Sequence, residues 1–226
     1  MLYRATGAAF VLSALLTGAV RAEAPSPQAP DAGALRAATL AGRAIPDRGG
    51  LSLVLTGGQH LRMIDNVRGC PIDDHQRDDG QCYRYSLVAD LPKQHVFIVR
   101  ESYAQGQSLL LIDDRTGRQT GIDGMPVFSA DGSRFFVNDD ETLGAHDADF
   151  EIWRRDGDGA VIEWAHLVKP VHAEDPPQAE AYHTEVVDWS AADVISLAFS
   201  GAHSDWNGQL TRGARGWTLT ADWPKE

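Results

Sequence analysis

The chain reads as an all-β protein built from antiparallel meanders. Three observations predict this. After Pro46, short runs rich in Val, Ile, Leu, Phe and Trp alternate with Gly, Asp and Asn turns. Hairpin signals separate neighbouring runs at Thr56-Gly57-Gly58, Ala104-Gln105-Gly106-Gln107 and Asp156-Gly157-Asp158-Gly159, where glycine supplies the positive φ of a tight turn. No amphipathic helix pattern of useful length follows Pro46. Short strands at this spacing suit a sandwich, a barrel or a propeller.

The elements follow in chain order. Residues 1–24 have the three parts of a secretory signal peptide: Arg4 in a positive n-region, an apolar run from Ala8 to Val20, and Ala22 and Ala24 as an A-x-A cleavage site before Pro25. The run is shorter than the roughly 20 apolar residues of a spanning helix. No Cys lies near the cleavage site for lipid attachment. The expected product is exported, periplasmic or secreted, with no membrane insertion after signal cleavage. The competing reading is an uncleaved anchor. Residues 25–46 are expected to form a linker, "PSPQAP", and a short helix capped by Asp31 and ending before Pro46, with Gly33 and Gly42 weakening it.

Residues 47–226 are expected to form a single β domain of about the size one hydrophobic core can serve. Its predicted strands are Leu51–Leu55, Leu61–Ile64, Tyr83–Ala89, His95–Glu101, Ser108–Asp113, Phe135–Asn138, Phe150–Arg154, Val161–His166, Val186–Trp189, Ile195–Phe199 and Gly216–Leu219. Two cysteines, Cys70 and Cys82, flank the polar segment "PIDDHQRDDGQ". In an oxidising compartment an even count favours a disulfide, worth roughly 3 kcal/mol at this loop size. The alternative is a pair of reduced thiols. The charge is strongly acidic: 20 Lys and Arg against 32 Asp and Glu give a net −12. Such a surface repels nucleic acid and anionic lipid, so neither is an expected partner.

The strand scheme recurs. From Gln94, from Ser133 and from Ala191, runs of strand, turn and strand repeat as three- or four-stranded meanders, the content of a propeller blade. The stretch "PVFSADGSRFFVNDD", Pro126 to Asp140, resembles the repeat of TolB-type β-propellers: an aromatic, Ser, Pro, Asp, Gly, two variable residues and an apolar strand. Here it reads Phe128, Ser129, Ala130, Asp131, Gly132, Ser133, Arg134 and Phe135-Phe136-Val137, with Ala130 in place of Pro. "EIWRRDGDG" resembles the later part of that repeat, and "VDWSAAD" echoes the first part. The resemblance implies a small or partial β-propeller; an unrelated β-sandwich is the alternative. Repeats of this type serve binding proteins, scaffolds and accessory domains of peptidases, so the motif speaks to fold more than to chemistry.

Several groups could carry chemistry. The segment "NDDETLGAHDAD" gathers Asp139, Asp140, Glu141, Asp147 and Asp149, oxygen ligands suited to Ca²⁺, against the plainer reading of a solvated acidic loop. Asp156 and Asp158 read as turn residues. His166, His172 and His183, with Glu174 and Glu185, could ligate a transition metal, but no zinc-type spacing joins them. There is no G-x-S-x-G elbow, P-loop or dinucleotide fingerprint, so an enzyme gains no positive support. Most of the six tryptophans fall in predicted strands. Trp206, in "HSDWNGQ", falls in a predicted loop and is the candidate partner-binding aromatic. The expectation is an exported non-catalytic binding or accessory module with an unknown protein or saccharide partner in the cell envelope. An exported hydrolase with an unrecognised site, or a purely structural envelope protein, are the alternatives.

Overall fold

Two patterns of apolar residues are written into the strands, and they decide the architecture. "VFIV" at residues 96–99 and "FFV" at 135–137 are continuous, as in strands covered on both faces. "LSLVL" at 51–55 and "ISLAF" at 195–199 alternate, as in strands with one face in solvent. The computed structural model describes residues 36–39, 41–47, 49–67, 82–103, 106–138, 148–167, 183–200 and 204–222. It is all-β, with four antiparallel sheets formed one after another along the chain.

The first sheet holds β1 (Ala44–Asp47), β2 (Gly50–Val54) and β3 (His60–Ile64). The second holds β4 (Tyr83–Leu91), β5 (Val96–Tyr103), β6 (Gly106–Asp113) and β7 (Gln119–Ile122). The third holds β8 (Val127–Phe128), β9 (Arg134–Asn138), β10 (Ala148–Asp156) and β11 (Gly159–Leu167). The fourth holds β12 (His183–Ala191), β13 (Val194–Ser200), β14 (Asp205–Gly213) and β15 (Gly216–Ala221). In each sheet the spatial order is the sequence order, so every sheet is a simple meander.

Three hydrophobic cores glue the four sheets in series. Leu51, Leu53 and Met63 pack against Leu87, Phe97 and Val99 between the first two sheets. Val96, Ile98, Leu109 and Leu111 pack against Phe135, Val137 and Trp153 between the second and third. Phe136, Phe150 and Ile152 pack against Ile195, Leu197, Phe199 and Trp217 between the third and fourth. Successive residues of β5 and β9 therefore enter different cores, which is why those runs are continuous. Ser52, Val54 and Arg62 of the first sheet, and Asn207, Gln209 and Thr211 of the fourth, lie on outward faces that are half-buried or exposed. Among the described residues no hydrophobic cluster joins the first sheet to the fourth.

Of the helix expected before Pro46, residues 36–39 are helical, and residues 31–35 and 40 lie outside the described residues. Gly42, at φ 69°, ends it: the Gly42 N–H donates to Thr39 O at 3.0 Å and the Arg43 N–H to Ala38 O at 2.8 Å, the paired bonds of a Schellman stop. Gly42 is thus a terminator, and the chain enters β1 at Ala44. The stretch "FSADGS" folds as its pattern demands. Ser129 and Arg134 pair through their backbones at 3.0 Å, Asp131 Oδ1 accepts from the Ser133 N–H at 3.0 Å, and Gly132 takes φ 67°.

Strand direction alternates, so the connections sort to two ends. At one end lie the tight turns 55–59, 92–95, 114–118, 129–133, 157–158, 192–193 and 214–215. At the other, called the long-connection end for the sequence length between its strands, lie the strand ends that flank 68–81, 139–147 and 168–182, residues outside the described ones.

Candidate functional site

The tight-turn end is an ionic seam. Asp113 ends β6 and Asp114 follows it in the turn; both are fully buried and serve opposite neighbours. Asp114 accepts from Arg43 Nη2 at 2.8 Å and from Thr56 Oγ1 at 2.9 Å in the first sheet, and lies 3.2 Å from His95 Nδ1. Asp113 accepts from Arg155 Nη2 in the third sheet at 2.8 Å, from Arg115 Nη2 at 2.7 Å and from the Arg115 and Thr116 N–H groups at 3.0 and 3.1 Å. Burial alone would raise the Asp113 carboxyl, but the hydrogen bonds from Arg115 and Thr116 outweigh it and hold it below its ordinary value. Arg155 also donates to Gln94 O across the same gap. Nearby, Glu163 on β11 accepts from Arg134 Nε at 2.7 Å and Trp217 Nε1 at 3.2 Å and pairs with Arg212 Nη2 at 3.1 Å, tying the third sheet to the fourth. Burial pushes Glu163 up, while Arg134, Trp217 and Arg212 more than reverse it, so this carboxyl also sits low. Asp113 and Glu163, saturated by guanidinium groups, stay ionised at neutral pH. Their work is to join sheets.

The long-connection end of the third and fourth sheets is aromatic. Phe150 on β10 and Phe199 on β13 are fully buried and face each other with centroids 6.2 Å apart. His166 stacks on Phe150 at 5.0 Å, and Trp164 stacks beside His166 at 6.0 Å. Trp206 lies parallel to Phe199 at 5.6 Å with an interplanar angle of 7°. Trp164, His166 and Trp206 are each half-buried. Gly208 gives the Phe199 ring its place, since a Cβ there would lie 2.7 Å from Phe199 Cε2. Thr184, 3% exposed, pairs with Phe199 in register. Its carbonyl accepts from Asn138 Nδ2 at 2.9 Å, and its buried hydroxyl has no hydrogen-bond partner among the described residues.

This placement corrects the reading of Trp206. It lies within β14, paired with Phe199, and not in a loop. The alternation Trp206, Gly208, Leu210 was the available signal, disguised because the middle inward position is a glycine. Trp164 and His166, two apart in β11, are the other residues the sequence reading did not join to it. Asp139, Asp140, Glu141 and Asp147 lie outside the described residues, and Asp149 falls in the β10 span with its side chain outside them. His172 and Glu174 are likewise outside, while His183 is exposed at the start of β12. Among the described residues no three His, Cys, Asp or Glu side chains converge as a metal site requires. Cys82 is buried and disulfide-bonded; Cys70, the chain's only other cysteine, lies outside the described residues.

Fold and site together define an all-β protein of four consecutive meander sheets, ion-paired at one end and aromatic at the other. No protein-family model matches the chain, and no curated protein or solved structure does.

Proposed function

We propose that the chain is an exported, non-catalytic binding or accessory module built on TolB-like repeats. Its four meanders would form a partial β-propeller, open between the first and fourth sheets. Its partner, a protein or saccharide of the cell envelope, is held at the aromatic end of the third and fourth sheets. The observation that carries this reading is the stacked set Trp164, His166, Phe150, Phe199 and Trp206 at the end that bears the long connections. Half-buried indole and imidazole rings on a rigid sheet present apolar faces that stack on sugar rings or anchor a partner side chain at low entropic cost. The buried Thr184 hydroxyl offers an unused polar group beside them. The turn from Ser129 to Arg134 supports the propeller reading, because its serine, aspartate and glycine take the parts that the repeat implies.

Intrinsic tryptophan fluorescence tests the site. The chain is titrated with soluble gluco-oligosaccharides and N-acetylglucosamine oligosaccharides. A saturable emission change that disappears in Trp206→Ala supports it; a change that Trp206→Ala retains in full overturns it.

A second reading, a hydrolase, rests on one contact. Ser52 Oγ and His60 Nδ1 are 3.3 Å apart on the outer face of the first sheet. The nearby Asp47 is engaged by Arg62 at 2.6 Å. Ester hydrolysis by the wild type, abolished in Ser52→Ala, would favour this reading.

A further inference from the structure

A sheet edge is a row of unpaired N–H and C=O groups, and proteins normally blunt it with proline, charge, bulges or shortness. The edges of this molecule can be compared in these terms. β1 has four residues, with Pro46 and Asp47 among them. β4 carries a register shift between Leu87 and Ala89, and β12 carries two. β7 and β8 are four and two residues long. β11 carries Glu163, and its pairing with β10 is irregular at two places. β3 carries Arg62, and the chain just beyond it bridges to Tyr83.

β15 has none of these defences. Its six residues, "GWTLTA", contain no charge and no proline, and its register against β14 is unbroken from Gly208↔Ala221 to Gly213↔Gly216. The Asp222 N–H donates to Asn207 O at 3.1 Å. In the alternating antiparallel pattern, the N–H and C=O of Gly216, Thr218 and Thr220 then also point to β14. Those of Trp217, Leu219 and Ala221 point to the edge that no described strand occupies.

We propose that β15 is a self-association edge, where two copies of this chain pair antiparallel about a two-fold axis at Leu219. The pattern is self-complementary in one register. Leu219 meets Leu219 of the second copy, and Trp217 meets Ala221, a large residue against a small one. The outward-pointing groups of both strands coincide, giving about six backbone hydrogen bonds, two for each directly bonded pair. On the exposed face Thr218 meets Thr220 of the second copy, a favourable cross-strand pair. At each end, Asp222 meets Gly216 of the second copy, one residue from Arg215. Arg215 and Asp222 are both exposed, so the pairing sets a cation against a carboxylate twice. A net charge of −12 opposes contact between copies elsewhere, which makes an uncharged strand with complementary ends the favoured meeting place. The result is one continuous sheet across two molecules.

Sedimentation velocity of the full, oxidised chain over a hundredfold concentration range tests this. The expected result is a concentration-dependent rise toward twice the monomer mass. Thr218→Lys/Thr220→Lys places lysines opposite each other while changing only exposed side chains, and should give a folded monomer by circular dichroism. Arg215→Glu and Asp222→Lys should each be monomeric, and an equimolar mixture of the two should recover a dimer, since each contact then joins opposite charges. A wild type that stays monomeric throughout the range overturns the proposal. So does a dimer that the lysine pair leaves intact, or single charge variants that fail to rescue each other when mixed.

Discussion

The two ends of the sheet stack solve the problem of holding sheets together in different ways. At the tight-turn end every connection from β2 onward is short, and adjacent sheets are cross-linked by arginine and buried carboxylate: Arg43 to Asp90 and Asp114, Arg155 to Asp113, Arg212 to Glu163. At the long-connection end of the third and fourth sheets the described contacts are mostly rings, with Asn138 to Thr184 a polar exception, while the first two sheets meet there through the Tyr85 N–H and Asp65 Oδ1. At the ionic end the buried carboxylates Asp113 and Asp114 are answered by arginines. The aromatic end has three half-buried aromatic residues and, among the described residues, one hydroxyl unanswered. A surface already satisfied is a scaffold, and an incompletely satisfied one is where a partner finds something to add.

The contrast can be broken at either end. The largest effect is expected from Asp113→Ala, which strands Arg155 and Arg115 beside a buried gap; loss of about 3–5 kcal/mol in urea unfolding is the expected outcome. Reducing the disulfide at Cys82 acts on the opposite end and should cost about 3 kcal/mol at neutral pH, read as a lower urea midpoint with dithiothreitol. Gly208→Ala pushes the Phe199 ring and should cost about 1–3 kcal/mol while changing near-ultraviolet circular dichroism and Trp206 emission. An unchanged near-ultraviolet spectrum would mean that the stack tolerates the methyl.

Acid should strike the tight-turn end selectively. Asp113 and Glu163 have folded values below their unfolded ones, so their contribution is present above about pH 4 and fades as pH falls through the lower folded values. Glu163→Gln should lower stability at pH 7 by about 1 kcal/mol and flatten the acid limb below about pH 4. If the limb keeps its slope, Glu163 is not among its causes. The smallest effect is Gly132→Ala, where a side chain at φ 67° should cost about 1 kcal/mol and leave both ends otherwise intact.

The strands were legible wherever packing follows local periodicity. Each predicted strand is present because an apolar run between Gly or Asp turns has few other ways to bury its side chains. β1 was hidden because Ala-rich sequence favours helix locally, while Leu53 and Phe97 draw Ala44 into a core that local propensity does not record. β14 was hidden by Gly208, whose missing side chain is filled by Phe199 from the neighbouring strand. The aromatic end was out of reach for the same reason. Trp164 and Trp206 belong to different sheets, and nothing local in "IEWAH" or "HSDWNGQ" announces that the two surfaces meet. The ionic seam was equally invisible: "IDDRTG" reads as a turn, and only the fold reveals that its two aspartates face in opposite directions.

Because each hydrophobic core is shared by only two sheets, the molecule behaves as a short one-dimensional array with nearest-neighbour coupling. Removing the fourth sheet would uncover Phe136, Phe150 and Ile152 while leaving the other two cores whole. Cooperativity should therefore decay along the stack. Amide hydrogens of β5, enclosed by two cores, should exchange last, and those of the first and fourth sheets, each served by one core, earlier.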